Sequence, residues 1–154
     1  MSTKLKPKKG TTWTSKLEKP MDPVVKEGPD KWNDKFGGSK MLIPTPKLID
    51  LKVRKIEKGD ILLMDTLRAQ LAEEFNADYT CPLTSGIFFR IVAEATEETR
   101  KEGIKNISPW WRVVQKTGEL NPKLPGEGAY QAKLLSEEGF KIEKRGKSKW
   151  IVLL

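Results

Sequence analysis

The strongest structural signal comes from two neighbouring stretches, Ser-Pro-Trp-Trp-Arg-Val-Val at 108–114 and Leu-Pro-Gly-Glu-Gly-Ala-Tyr-Gln-Ala-Lys-Leu-Leu-Ser-Glu-Glu-Gly at 124–139. The first begins as a proline-containing loop and ends with the alternation of a short strand. The second is a glycine-rich loop followed by a helix over about Glu127 to Glu138, which Gly139 ends. A loop, a strand and a helix therefore follow one another closely here.

Three further helices are predicted before this region, and a basic hairpin after it. The helices are expected at 45–57, 65–75 and 82–101, with a strand-like segment at 61–64. Six residues, 76–81, join the second and third helices in the layout of a helix-turn-helix. Apolar segments at 140–142 and 150–153 flank the basic turn 144–148. The predicted fold class is mainly α with small β, a winged helix-turn-helix domain with a C-terminal β-hairpin at 41–154.

The third predicted helix has two contrasting faces. Its inner stripe is expected to consist of Ile87, Phe88, Ile91, Val92 and Ala95. Acidic side chains at helical spacing, which usually form a solvated face, lie elsewhere on it: Glu94, Glu97, Glu98 and Glu102. That face is expected to point away from a polyanion.

The first 40 residues are poor in aliphatic side chains and rich in Lys, Pro, Gly and Asp. Such a composition predicts a basic N-terminal arm, residues 1–40, that is largely extended or disordered. Gly37-Gly38-Ser39 reads as a flexible joint before the domain. Four large apolar side chains are expected to dock the arm onto the domain: Trp13, Leu17, Trp32 and Phe36.

Composition excludes several kinds of chemistry. The 154 residues contain no histidine and a single cysteine, Cys81, so a Ser-His-Asp triad, a Cys-His pair, a disulfide framework and a cysteine zinc finger are excluded. No metal site and no cofactor are expected. No apolar run approaches the ~18–20 residues of a membrane span, and residues 1–10 lack the apolar core of a secretory signal. We expect a cytoplasmic monomer without membrane partners, nucleoid-associated if it binds DNA.

The net charge of +8 is unevenly distributed. Residues 1–40 carry +5 and residues 140–154 carry +4, whereas residues 41–139 carry −1. A basic arm and a basic hairpin suit a polyanion, because Lys and Arg displace condensed counterions from phosphates. A lysine-rich solvated surface would explain the same numbers.

The two stretches at 108–114 and 124–139 resemble the C-terminal, DNA-binding domain of alkylguanine-DNA alkyltransferases. That family carries Pro-Cys-His-Arg-Val, a turn, a Gly-Gly pair and a helix ending in Glu-Gly. The resemblance extends over about residues 43–143. It includes Leu67-Arg68-Ala69-Gln70-Leu71-Ala72, which looks like the family's first helix-turn-helix segment.

Departures from the family pattern remove its chemistry. Trp110 stands where the family has its methyl-accepting cysteine, and Trp111 where it has the activating histidine. An indole supplies neither a thiolate nor a base. The resemblance therefore implies a protein similar to the alkyltransferase-like proteins, which also carry tryptophan at the cysteine position. It implies a non-enzymatic partner of double-stranded DNA that recognises alkylated guanine and recruits repair proteins.

The resemblance also nominates DNA- or lesion-binding residues. Arg68 stands at the position of the nucleotide-rotating tyrosine and is expected near a phosphate. Pro82 or Leu83 stands at the arginine finger as an apolar wedge, and Thr84-Ser85-Gly86 falls on the Gly-rich part of the recognition helix. Leu124-Pro125 stands at the guanine-contacting tyrosine-serine, leaving backbone groups around Leu124–Gly126 to bind the base. Trp110 and Trp111 would line the pocket, and Trp110 would stack on a flipped base.

Plainer readings remain open for the same residues. The two tryptophans could be core aromatics on opposite faces of a strand, in which case at least one should reach a pocket or the surface. Arg112, a further candidate for a phosphate, more plausibly pairs with a carboxylate, and Cys81 is read as a buried thiol. The alternative functions are a protein-interaction module on the same scaffold that has lost lesion recognition, and an enzyme that uses Cys81.

Overall fold

A computed structural model describes residues 12–154 of the chain. It is mixed α/β, with about 45% helix against 16% strand, so the expectation of a mainly helical chain with small β elements agrees with it. No helix in the described range is long and apolar enough to cross a membrane. The helices between 12 and 154 are α1 (Trp13–Glu18), α2 (Asp30–Phe36), α3 (Pro46–Val53), α4 (Met64–Glu74), α5 (Pro82–Lys101) and α6 (Ala129–Glu137).

The strands form three small sheets in the described part of the chain. The strands are β1 (Val24–Glu27), β2 (Lys40–Ile43), β3 (Leu62–Leu63), β4 (Tyr79–Thr80), β5 (Val113–Val114), β6 (Ile142–Arg145) and β7 (Lys149–Val152). In the first sheet β2 pairs antiparallel with β1, in the register Val24 to Ile43, and parallel with β4. The strands β3 and β5 pair in parallel, and β6 and β7 form the predicted C-terminal hairpin.

The helices predicted after residue 41 are confirmed, except that α3 ends at Val53 and not at the predicted residue 57. Local side chains explain where the helices begin. The Thr45 hydroxyl accepts a hydrogen bond from the Leu48 N–H at 3.1 Å, and Pro46 occupies the first turn of α3, where its missing N–H costs nothing. The α5 helix begins in the same way, with Pro82 after an N-cap at Cys81.

One apolar core lies among α3, α4, α5 and α6. Its fully buried side chains include Leu42, Ile49, Val53, Leu67, Leu71, Val92, Trp110 and Leu135. The expected inner stripe of α5 is wrong at Ile87, which is 51% exposed, whereas Ser85 and Phe89 are buried. Because positions three and four apart share a helix face, the buried line runs through 85, 89, 92 and 96 and leaves residue 87 outside.

The expectation of a largely extended or disordered arm is wrong for residues 12–40. The helices α1 and α2 and the strand β1 form there, and β1 pairs with β2 across the expected boundary at residue 40. Leu17 is buried in the main core, and Trp32 packs on a second cluster of Met41, Tyr79 and Cys81. The large apolar side chains therefore do dock the arm. Residues 1–11 of the expected arm lie outside the described range.

The expected joint at 37–39 is likewise held in place. Gly37 ends α2 in the left-handed conformation, with φ of 77°, which glycine adopts without steric cost. At Gly38 a Cβ atom would lie 2.3 Å from the Asp78 carboxyl carbon. The close approach lets the Asp78 carboxylate accept a hydrogen bond from the Lys40 N–H at 2.9 Å. The segment is a tight turn against the domain.

Candidate functional site

The two tryptophans of the 108–114 stretch lie inside the protein. Residues Trp110–Arg112 form one turn of 3₁₀-helix, and the strand begins only at Val113. Trp110 is 0% exposed and Trp111 is also buried, so the expectation that they line a lesion pocket is wrong. Successive residues of a 3₁₀ turn are ~120° apart, since it has 3.0 residues per turn. Both rings can therefore enter one core, with centroids 6.3 Å apart and planes at 85°.

Each indole N–H has a carboxylate partner. Trp110 Nε1 donates to Glu97 Oε2 at 2.8 Å, and Trp111 Nε1 donates to Glu138 Oε2 at 2.8 Å. A buried indole N–H without an acceptor would cost free energy. These two hydrogen bonds offset the desolvation of the buried indole N–H groups. They indicate a structural role for the two tryptophans.

Arg112 completes the cluster, as the plainer reading of the sequence predicted. Its guanidinium donates to both oxygens of Glu138, at 2.9–3.2 Å, and to the Ile56 carbonyl at 2.7 Å. Burial alone would raise the pKa of the Glu138 carboxyl, but hydrogen bonds from Arg112, Trp111 and the Gly59 N–H outweigh it and hold that pKa below its ordinary value. Arg112 is therefore committed to the fold and is not a free phosphate contact.

The acidic residues of α5 also differ from expectation. Glu97 is mostly buried and holds Arg100 as well as Trp110. Glu98 accepts hydrogen bonds at 2.9 Å from the backbone N–H groups of Trp13 and Thr14. The expected solvated acidic face is thus wrong at these positions, since it is the surface against which α1 and the tryptophan turn pack. Glu102 is exposed, as expected.

Arg68 joins α4 to the beginning of α5. Its Nε donates to the Ser85 hydroxyl at 2.8 Å, and its other nitrogens lie 3.3 Å from Asp65 Oδ1 and 3.4 Å from the Pro82 carbonyl. Desolvation lowers the pKa of the guanidinium, although the nearby Asp65 carboxylate opposes the shift. The bonds to Ser85 and to the Pro82 carbonyl hold the two helices together.

The other nominated residues, in the first turns of α5, differ in how far they are exposed to solvent. Ser85 is buried against Arg68, and Pro82 and Thr84 are partly covered. Leu83 is 61% exposed and Ile87, one turn further, is 51% exposed. Apart from the adjacent residues and the backbone of the helix itself, no described atom lies within 4 Å of the position that a Cβ would take at Gly86. Leu83, Gly86 and Ile87 therefore form an open apolar surface, which we call the α5 ridge.

A groove of about 410 Å³ lies beside this helix, and we call it the first groove. Its apolar wall includes Met64, Phe89, Val113, Val114, Leu120 and Leu124, and its polar wall includes Asp65, Arg68, Lys116, Lys123 and Gln131. Of the nominated 124–126 segment, only Leu124 borders the groove. Its N–H donates to the Asn121 carbonyl and its carbonyl accepts from Glu127, so these backbone groups serve the turn. Pro125 is buried and Gly126 is exposed, and neither borders the groove.

Gln131 is a residue of this groove that sequence reasoning missed. It is buried, and its Nε2 donates to the carbonyls of Trp111 and Val113, both at 3.0 Å. Because both partners are acceptors, the amide orientation is determined. Its Oε1 has no hydrogen-bond partner among the described residues. The only sequence signal was a glutamine on the buried face of a predicted helix.

Lys116 is the second residue that the sequence did not single out. It is exposed in the turn after β5 and borders both the first groove and a neighbouring one of about 570 Å³, the second groove. Asp65 and Arg68 border both grooves as well. The two grooves therefore lie side by side along the start of α5.

Cys81 has a structural environment. Its side chain is buried, as expected, and its Sγ accepts the Thr84 N–H at 3.4 Å. A reactive cysteine is a partly exposed thiolate in an electropositive setting, and burial deprives Cys81 of the required access. The arrangement supplies no activated nucleophile at this position.

Comparisons with known protein families, with curated proteins and with solved structures found no match to this chain. The functional interpretation therefore depends on the geometry of the α5 ridge and the first groove.

Proposed function

We propose that the protein binds double-stranded DNA without acting on it chemically, through the α5 ridge and the first groove. The observation that carries the proposal is the pair of exposed apolar side chains, Leu83 and Ile87, on a helix end that borders a groove with one apolar and one polar wall. Proteins that enter the minor groove commonly insert such apolar wedges between base steps. At Gly86 the open space leaves room for a close backbone approach.

The elements around α5 support a winged helix-turn-helix interpretation. The α4 helix precedes α5 and is joined to it by Arg68 and by the Thr80 hydroxyl, which donates to the Arg68 carbonyl at 2.7 Å. The hairpin β6–β7 is attached to the wall of the first groove, since the Leu120 N–H donates to the Trp150 carbonyl at 2.8 Å. In this proposal α5 is the recognition helix and the basic hairpin is the wing.

The first groove is the candidate base pocket in place of the tryptophan turn. Its volume lies within the ~300–1,000 Å³ of small-molecule sites. Apolar atoms of Met64, Phe89 and Leu124 suit the faces and alkyl group of a modified base, and behind them Gln131 has a buried amide oxygen without a partner among the described residues. An alkylated guanine is the lesion that the family resemblance suggests. In this proposal the protein marks the lesion for repair proteins, since burial of Cys81 and the absence of histidine provide no alkyl acceptor.

The test measures anisotropy of a labelled duplex with either guanine or O6-methylguanine at one position, at two salt concentrations. Burying a leucine is worth ~1.5–3 kcal/mol, which is about tenfold or more in affinity. We expect Leu83→Glu to weaken binding to both duplexes by at least about that factor. Leu51→Glu is the matched control, because Leu51 on α3 is similarly exposed and borders neither groove.

Each outcome separates one part of the proposal. Absence of duplex binding at low salt would refute DNA binding and favour the protein-interaction alternative, which the exposed Leu83 and Ile87 also suit. Equal affinity for the two duplexes would leave DNA binding standing and remove lesion recognition. An equal effect of Leu83→Glu and Leu51→Glu would show that the α5 ridge is not the interface.

A further inference from the structure

The second groove lies between the end of α2 and the beginning of α5. Its lining comprises Lys35, Phe36, Asp65, Arg68, Ala69, Asp78, Tyr79, Thr80, Pro82 and Lys116. One side of this groove is formed by α2, from the N-terminal segment, and the other side by α4 and the beginning of α5. Because Asp65, Arg68 and Lys116 also border the first groove, a strand of DNA lying along α5 would pass from one groove to the other.

An aromatic stack supports one wall of this groove. The rings of Phe36 and Tyr79 are 4.8 Å apart with planes at 22°, and the Tyr79 hydroxyl donates to Asn33 Oδ1 at 2.8 Å. Tyr79 is buried in the β2–β4 sheet, whereas Phe36 is 37% exposed. The contact therefore attaches the end of α2 to the domain. It thereby positions the backbone of the adjacent residue, Lys35, beside the groove.

The acidic groups of this groove have partners within the protein, whereas two of its lysines form no ion pair with the described residues. Asp65 is paired with Arg68, and Asp78 accepts the Lys40 backbone N–H at 2.9 Å. Lys35 and Lys116 are both exposed, and neither forms an ion pair with a residue in the range 12–154. The Lys35 ammonium lies 5.4 Å from the centre of the Phe36 ring. Two ammonium groups on separate elements are thus available to a ligand in one groove.

We propose that the second groove holds a phosphate of the DNA backbone between Lys35 and Lys116, which makes α2 part of the DNA interface. The inference rests on the proposed function, because the ligand is the continuation of the duplex that lies on the α5 ridge. Two lysines on different elements provide the point charges that a phosphate needs. The exposed edge of Phe36 contacts the adjoining deoxyribose.

The test is the salt dependence of duplex binding, since each phosphate contact contributes about 0.9 to the slope of log affinity against log salt. The full-length variants are Lys35→Gln and Lys116→Gln, with Lys31→Gln as the control. Lys31 is exposed on α2, as Lys35 is, and borders neither groove. Its substitution by glutamine removes the same charge. Unfolding midpoints of all variants show whether the fold is retained.

We expect Lys35→Gln and Lys116→Gln each to lower the magnitude of the slope by about 0.9, and Lys31→Gln to leave it unchanged. Because the two lysines hold a single phosphate, the double variant should lower it by no more than about 0.9. Normal duplex binding with equal slopes for Lys35→Gln and Lys31→Gln would overturn this inference and leave the proposed function standing. Absence of duplex binding by the unaltered protein would overturn both.

Discussion

Replacing Glu138 by alanine tests the structural role assigned to the tryptophan turn. The carboxylate accepts hydrogen bonds from Arg112 and Trp111, and the ion pair is nearly enclosed, with side-chain exposures of 13% for Arg112 and 8% for Glu138. The substitution leaves a buried guanidinium and a buried indole N–H without their acceptor. The Ile56 carbonyl, at 2.7 Å, is the hydrogen-bond acceptor that Arg112 retains among the described residues.

Removing one partner of a buried ion pair costs ~3–5 kcal/mol. Because the Ile56 carbonyl remains and part of Arg112 reaches solvent, we expect a loss of about 3 kcal/mol in the free energy of unfolding. Glu138→Gln retains an acceptor for Trp111 but loses the charge, and its cost should be about half as large.

Urea denaturation followed by far-ultraviolet circular dichroism measures these differences. With an m-value of ~1–3 kcal/mol per M, Glu138→Ala should lower the midpoint by about 1–3 M. Glu137→Ala is the control, because Glu137 precedes Glu138 in the sequence, ends α6 and is exposed. This variant should change stability by less than ~0.5 kcal/mol. Equal midpoints for Glu138→Ala and Glu137→Ala would refute the reasoning.

The pH dependence provides a second readout for the same residue. The folded pKa of Glu138 lies below the ordinary value of 4.5, so the folded state binds this proton more weakly than the unfolded chain. The stabilisation by ionised Glu138 is therefore complete above pH 4.5 and is lost as the pH falls through the folded pKa. The stability difference between the unaltered protein and Glu138→Gln should shrink over that acidic window.

Two further substitutions test the docking of α1 and the burial of Trp110. Glu98→Ala removes the acceptor of two α1 backbone N–H groups. We expect it to cost ~1–2 kcal/mol and to accelerate tryptic cleavage near Lys16, whereas cleavage no faster than in the exposed control Glu102→Ala would contradict the docking. Trp110→Phe should cost ~1–3 kcal/mol through the indole bond and lost volume. The DNA affinity of this variant should stay within about twofold of that of the unaltered protein. A larger loss of affinity would show that Trp110 takes part in DNA binding.

Local signals account for the parts of the fold that were predicted correctly. Thr45-Pro46 sets the beginning of α3 by a cap and a proline, and the 3.6-residue apolar period marks α4, α5 and α6. These effects act within one or two turns of the chain, so they can be read without knowing the neighbours. The absence of histidine, which excludes imidazole chemistry, is likewise a property of composition alone.

Long-range pairing decided what the sequence left ambiguous. Neighbouring strand residues point to opposite faces, so a strand would have exposed one tryptophan, but a 3₁₀ turn with Glu97 and Glu138 as acceptors buried both. The partners lie 13 and 27 residues away in the chain, and no local pattern links them. For the same reason the sequence predicted a solvated Glu98, whereas in the fold α1 packs on this residue. Only the tertiary structure showed that Leu83 and Ile87 remain outside while Lys35 and Lys116, from distant segments, border one groove, because burial and proximity are properties of the packed chain.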